Sequence, residues 1–217
     1  MERQRQPDGR WQQQRLSEVR QRQLIAEQRS RFSRYGQHLD RQQQFAQQRM
    51  FMLQQQRRMA QYRFQQQYWE RLRQQQRYLQ SVRSYDYDRD PYFYTAPNYR
   101  YSRGGRFYET NEYGANLLRQ AINYGYEEGF RAGQADREDN WQYNYQESFA
   151  YQDGNYGYDG NYVDQDEYNY YFRQGFEKGY EDGYYSRNRY GTYSNGKYAI
   201  LGAILSQILN FQSLSDY

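Results

Sequence analysis

Few side chains in this sequence are of the types that carry out catalysis. There are no cysteines, which excludes disulfides, thiolate metal sites and a cysteine nucleophile. The single histidine, His38, lies among glutamine and arginine, where a Ser–His–acid triad or a histidine-rich metal site has little support. Neighbouring carboxylates such as Glu127 and Glu128 are explained by solvated charge on a helix. We therefore expect no enzyme, no catalytic residue and no cofactor.

Acidic side chains in the second half could coordinate calcium, but their spacing argues against it. The candidates are Asp153, Asp159, Asp164, Asp166 and Glu167. The ligand spacing of an EF-hand loop is absent from this segment. Two Asp-Gly-Asn-Tyr units begin six positions apart, and the pairs Asp-Gly and Gly-Asn favour tight turns. The pattern therefore predicts turns and no metal site.

Arginine interleaved with aromatic residues could also bind nucleic acid. Residues 1–84 hold 18 arginines against 6 acidic groups, and Tyr62, Phe64, Tyr68 and Trp69 could stack on bases. Against this stand the near absence of lysine and the lack of a recognisable binding motif. Residues 85–217, with 12 basic and 20 acidic groups, would compete for the arginines. Nucleic-acid binding is therefore kept as the alternative function.

The helices and strands that position these residues form in a chain of unusual amino-acid composition. Leucine, isoleucine, valine and phenylalanine supply 31 of 217 residues, below the level of roughly 20% that is typical of ordered domains. Thirty tyrosines supply the missing apolar surface, and their hydroxyls need partners when buried. We expect a mainly α, non-globular chain that is assembled rather than monomeric. No apolar run reaches the roughly 18 residues of a membrane span.

Composition divides the chain near residue 84. Residues 1–84 are rich in glutamine and arginine, with only one glycine, Gly36, between Arg10 and Arg83. This predicts a long helix with a possible break near residue 36, followed at 85–111 by an extended linker rich in tyrosine and proline. The halves carry opposite charge and should attract each other, within a chain or between chains. The predicted apolar seam comprises Trp11, Ile25, Phe32, Leu39, Ala46, Leu53, Ala60, Phe64, Tyr68, Leu72 and Leu79.

The most specific feature is an internal repeat within residues 112–197. Copies 119–130 and 173–184 are identical at six of twelve positions, and small residues recur every fourth position with a bulky residue after each. On an α-helix this spacing forms two adjacent stripes. Each glycine costs a helix about 1 kcal/mol, which the close approach of another backbone or a flat ring can offset. We predict two short glycine- and tyrosine-striped helices joined by turn-rich loops, with a hairpin turn at Tyr193–Tyr198.

Residues 198–217 predict an apolar C-terminal helix, too short to cross a bilayer. In a chain poor in aliphatic residues it is a candidate for an intermolecular anchor. The alternative is a core helix that covers the repeats, and both remain open. The predicted assembly interface comprises Gly125, Tyr126, Gly129, Phe130, Gly179, Tyr180, Gly183, Tyr184, Ile200, Leu201, Ile204, Leu205, Ile208 and Leu209.

Residues Ala121–Gly133 and Gly175–Tyr184 resemble the Gly-Tyr-x-x-Gly repeats of uncharacterised bacterial structural and surface proteins. The aromatic density is similar to that of spore-coat proteins. The resemblance implies a structural class and no catalytic residue, and it raises an extracellular or cell-surface location as a hypothesis that the sequence does not decide. The first eleven residues hold no apolar stretch for a signal peptide, so export would require a signal cleaved before this numbering or an unusual route. We expect a filament, sheath or coat subunit whose partner is itself, held by aromatic, arginine and glycine-stripe contacts.

Overall fold

Helices dominate the architecture, so the predicted mainly α class is confirmed. The computed structural model describes residues 16–81, 85–194 and 196–214. Trp11 and the side chain of Leu39, both members of the predicted seam, lie outside the described part. In chain order the helices are α1 (Glu18–Gln55), α2 (Met59–Ser81), α3 (Glu112–Glu138), α4 (Phe149–Asp153), α5 (Gln165–Tyr184) and α6 (Gly202–Leu209).

Short strands form two antiparallel sheets in the described residues. In the first, β1 (Tyr99–Arg103) lies between β2 (Arg106–Thr110) and β5 (Gln212–Ser213). In the second, β3 (Gly191–Ser194) and β4 (Lys197–Ile200) pair as an antiparallel hairpin. The predicted turn at Tyr193–Tyr198 is confirmed. Because residues 198–200 belong to β4, the predicted C-terminal helix is corrected to α6 alone.

The segment 85–111 folds more tightly than the predicted extended linker. Pro91–Phe93 form a short 3-10 helix, and β1 and β2 form a hairpin. Gly104 and Gly105 connect the strands with φ of +56° and +77°, which glycine adopts without strain. Phe93 and Tyr101 are buried. The extended-linker prediction is corrected because this glycine turn reverses the chain and lets its aromatic residues reach the core.

The N-terminal helix is interrupted at residues 56–58 and not near residue 36. Gly36 lies inside α1, where an added Cβ would meet nothing within 4 Å. At the true break Arg57 has φ of +56°, and Arg58 turns inward to a side-chain exposure of 3%. The Arg58 guanidinium donates to Asp136 at 2.6 Å and lies 4.2 Å from the ring centre of Trp141.

Helix α2 begins where a carboxylate from the end of α3 caps it. Asp139 accepts hydrogen bonds from the backbone N–H groups of Ala60 and Gln61, each at 2.8 Å. These donors have no partner within their own helix, so the contact stabilises the start of α2. The break is corrected to 56–58 because groups about eighty positions further along the chain determine it.

The two oppositely charged halves attract each other within this chain. Antiparallel helices α1 and α2 form a hairpin whose arginines face carboxylates of the second half. Arg58 pairs with Asp136, and both side chains are buried, whereas the half-buried Arg71 pairs with the fully buried Glu128. A more exposed pair joins Arg31 to Asp164 at 2.7 Å. Part of the positive charge of the first half is therefore neutralised within the chain.

Tyrosine fills the core, as its composition requires. The fully buried tyrosines are Tyr35, Tyr68, Tyr126, Tyr158, Tyr168, Tyr171 and Tyr180. All of their hydroxyls except that of Tyr171 have a hydrogen-bond partner among the described residues. Burial of the apolar ring is thus combined with a satisfied polar tip. The hydroxyl partners that the composition requires are supplied within the chain.

Candidate functional site

The two striped helices, α3 and α5, pack against each other at their glycines. A Cβ added to Gly125 would lie 1.9 Å from the carbonyl oxygen of Phe172, and one added to Gly129 would lie 2.1 Å from that of Phe176. Gly133 meets Tyr180 in the same way, at 2.2 Å. Residue numbers rise together along both helices at these contacts, so α3 and α5 run parallel. Any larger residue would force the backbones apart.

The contact is reciprocal, with the glycines of α5 lying against carbonyls of α3. The added-Cβ distances are 2.0 Å from Gly175 to Ile122, 1.9 Å from Gly179 to Tyr126 and 2.1 Å from Gly183 to Phe130. The geometry therefore matches each glycine of α3 with one 50 positions later, whereas the sequence repeat aligns residues 54 apart. The difference is one helical turn. A stripe with a period of four residues does not distinguish these registers.

Tyrosine hydroxyls connect the two helices beside the glycine stripes. Tyr126 on α3 donates to Asp182 on α5 at 2.9 Å, and Tyr180 on α5 donates to Asp136 on α3 at 2.5 Å. Burial is the main cause that raises the pKa of both hydroxyls, and the nearby carboxylate adds to it. Both hydroxyls therefore remain donors at neutral pH. Phe130 is also buried, and Tyr184 is half-buried. Tyr126 and Tyr180 thus reach the other copy of the repeat in the same chain, whereas Phe130 stacks on Tyr198 and Tyr184 donates to the carbonyl oxygen of Trp141.

Each buried carboxylate of this region is fully engaged by donors. Asp182 also accepts backbone N–H groups of Arg189 and Tyr190, at 3.0 and 2.8 Å, which orders the loop after α5. Glu128 accepts from Arg71 and Arg131. Burial raises the pKa of Glu128 while the two guanidinium groups act in the opposite direction. Because every oxygen has a structural partner, the network holds helices and loops in place.

The apolar C-terminal residues lie on the repeat helices. Helix α6 contacts both α3 and α5, and its side chains belong to the main core cluster. The sequence left two alternatives open, an intermolecular anchor and a core helix that covers the repeats. The arrangement in the structure is the second, a helix that covers the repeats. The predicted anchor residues are distributed as follows: Ile200 and Leu209 are buried, Ile204, Leu205 and Ile208 are half-buried, and Leu201 is exposed.

The two Asp-Gly-Asn-Tyr units form the predicted turns. In the first, Asp153 accepts from the backbone N–H of Asn155 at 3.0 Å, and in the second Asp159 accepts from Asn161 at 2.9 Å. The intervening glycines have positive φ. The carboxylates are thus used to close turns. In the part of the chain that the structure describes, no cluster of histidine and acidic side chains is arranged to hold a metal ion.

A cationic cleft lies between α1, β1 and the loop before α5. Arg31, Arg34, His38 and Arg41 recur at intervals of three and four residues, which places them on one helix face. They line a cavity of about 470 Å³ together with Arg103. In the sequence the arginines of residues 1–84 form one basic segment, in which this face does not stand out. The signal that could have identified it is the spacing around the only histidine.

Two exposed apolar features lie elsewhere on the surface. Phe45 and Met52, one heptad apart on α1, form a groove of about 300 Å³ with Phe149, which we call the α1 groove. Phe45 is 62% exposed and Met52 is 45% exposed. On β2, Phe107 is 71% exposed, although it is a large aromatic residue. Because Phe45, Met52 and Phe107 belong to neither the predicted seam nor the repeat, sequence patterns did not reveal them.

Comparisons of the chain with protein-family models, with curated proteins and with solved structures found no match. Among the helices of the described residues, none combines the length and the apolar character needed to span a bilayer. A function for this chain therefore has to be inferred from its own surfaces and contacts.

Proposed function

We propose that the protein is a structural, self-assembling subunit of a filament, sheath or coat. The observation that carries the proposal is a pair of unlike apolar surfaces, one concave and one protruding. Phe107 protrudes from the β1–β2 hairpin, and the α1 groove offers a concave apolar surface. In the proposed contact, Phe107 of one copy inserts between Phe45 and Met52 of the next. A contact between different surfaces repeats without closing and produces a polymer.

Apolar burial can provide the main driving force for this contact. Complete burial of a phenylalanine or methionine side chain contributes about 1.5–3 kcal/mol, so burial of the fractions of Phe107, Phe45 and Met52 that are still exposed contributes roughly 3–5 kcal/mol. An exposed ion pair contributes only about 0–1 kcal/mol. The groove also carries Gln48 and Arg49, which supply hydrogen-bond donors around the apolar centre. Loss of translational freedom offsets part of this energy, so removal of either surface should abolish assembly.

The proposal is tested by removing each surface separately. We expect the wild-type chain to form regular polymers by light scattering and negative-stain microscopy. Phe107→Ser should abolish them, as should the double variant Phe45→Ser/Met52→Ser. The control is Tyr78→Ser, which removes an aromatic side chain of similar exposure, 68%, from α2. Polymers in all four proteins, or in none, would contradict the proposed contact.

A mixing experiment tests the unlike character of the two surfaces. The Phe107→Ser chain retains an intact groove, and the Phe45→Ser/Met52→Ser chain retains the protruding phenylalanine. Mixed in equal amounts, the two should form dimers that cannot extend, with twice the mass of one chain. Separate monomers after mixing would show that Phe107 does not occupy the groove.

A further inference from the structure

We propose that the cationic cleft binds a small, multiply charged phosphate anion. Arg31, Arg34 and Arg41 approach it from one face of α1, and Arg103 approaches it from β1. Gln37 and Gln165 add neutral polar groups to the lining. Guanidinium groups bind phosphate oxygens through paired, charge-assisted hydrogen bonds. The proposed ligand class follows from this concentration of forked donors around one cavity, and it is independent of the assembly contact.

Two of the four arginines are already held in position. Arg31 donates to Asp164 at 2.7 Å and to the carbonyl oxygen of Tyr162 at 3.2 Å. Arg103 lies over the rings of Tyr108 and Tyr170, with its guanidinium carbon 5.2 and 5.6 Å from their centres. Such contacts reduce the entropy that would be lost when a ligand binds. These two side chains therefore form a preorganised part of the site.

The other two arginines are available for a ligand. Arg34 and Arg41 are exposed, and neither makes a hydrogen bond or an ion pair with the residues that the structure describes. His38 lies between them on the same face. The side-chain amide of Asn155, which donates to Asp153, lies 2.8 Å from Nε2 of His38. The imidazole thus forms an oriented part of the wall.

The acidic neighbours of the cleft favour a compact ligand over a polymer. Asp164 and Asp166 lie at its border, and buried Tyr158 forms part of its wall. A nucleic-acid backbone running through the cleft would pass these carboxylates and be repelled. Four guanidinium groups against two carboxylates leave an excess positive charge in the cavity. Pyrophosphate, which places its charge on two adjacent groups, fits this arrangement better than an extended strand.

Isothermal titration calorimetry of the full chain with inorganic pyrophosphate tests the site. We expect saturable binding of one anion per chain, weakened more than tenfold in Arg34→Gln/Arg41→Gln. The matched control is Arg73→Gln, which removes an exposed arginine on α2 and should bind as the wild type does. Circular dichroism should show the same helix content in all three proteins, because the substituted side chains are exposed.

Equal affinities in the wild type and the double variant would overturn the proposal. The same titration with a single-stranded oligothymidylate tests the macromolecular alternative. We expect it to bind more weakly than pyrophosphate and to be little affected by the double substitution. Tighter binding of the oligonucleotide, lost in Arg34→Gln/Arg41→Gln, would instead assign this face of α1 to nucleic acid and would overturn the small-anion assignment.

Discussion

Replacing a stripe glycine with alanine should destabilise the protein, although alanine is the better helix former. At Gly129 the new Cβ would lie 2.1 Å from the carbonyl oxygen of Phe176, and ordinary contact begins at 3.4 Å. The α3 and α5 backbones would therefore have to separate locally by about 1.3 Å. The close atoms belong to backbone and not to the end of a flexible side chain, so local adjustment cannot relieve the contact.

The expected loss of stability in Gly129→Ala is the balance of opposing contributions. Overpacking of a close-packed contact costs typically about 1–3 kcal/mol, occasionally more. The higher helix propensity of alanine returns at most about 1 kcal/mol. Separation by about 1 Å also removes a large part of the dispersion attraction between facing atoms. We expect Gly129→Ala to lower the free energy of unfolding by about 2 kcal/mol, and Gly179→Ala to have a similar effect because it occupies a corresponding stripe position.

Urea denaturation followed by circular dichroism measures these free energies. Gly36→Ala is the matched control, because Gly36 is also inside a helix but has open space where the Cβ would be added. There alanine should stabilise the protein by about 0.5–1 kcal/mol. The change in the free energy of unfolding should therefore have opposite signs at Gly36 and Gly129. A stabilisation at all three positions would refute the close packing of α3 on α5.

Three other expectations concern the polar contacts. Buried hydroxyls such as that of Tyr180 have a raised pKa in the fold. Above pH of about 10 the unfolded chain therefore loses tyrosine protons that the folded chain retains. The free energy of unfolding should then fall by about 1.4 kcal/mol per pH unit for each such tyrosine. Urea denaturation at successive pH values measures this fall. Asp139→Ala should cost about 1–2 kcal/mol as a lost helix cap, while Asp88→Ala, at an exposed site, should cost little. Arg58→Lys should lower the thermal midpoint because lysine cannot both fork towards a carboxylate and stack on Trp141.

Local sequence patterns predicted the secondary-structure elements better than they predicted which elements pack against each other. The period-four rows at Gly125 and Gly179 predicted helices that admit another backbone. They could not show which backbone, because a row of identical spacing allows registers that differ by one turn. The turn of β3–β4 was predictable since Gly196 permits positive φ.

The breaks and surfaces that were missed depend on distant residues. No local signal marks Arg58 as part of the break between α1 and α2. The residues that hold this break, Asp136, Asp139 and Trp141, lie about eighty positions away. A glycine was the strongest local signal for a break, but exposed Gly36 is tolerated within α1. The cleft and groove likewise arise from tertiary packing.

The central structural claim is that the glycine stripes are paired in parallel and within one chain. Since the sequence has no cysteine, spin labels can be placed at chosen pairs of introduced cysteines. One pair, at exposed Asn116 and Asp166, lies near the starts of α3 and α5. The other joins Asn116 to exposed Tyr185, about 28 Å further along the helix direction at 1.5 Å per residue.

Double electron–electron resonance with an excess of unlabelled chain measures these distances within single molecules. The parallel arrangement predicts a short distance for Asn116–Asp166 and a long one for Asn116–Tyr185, neither of which changes on dilution. A reversed order of the two distances would contradict the parallel packing. Loss of the short distance on dilution would show that the stripes pair between chains instead.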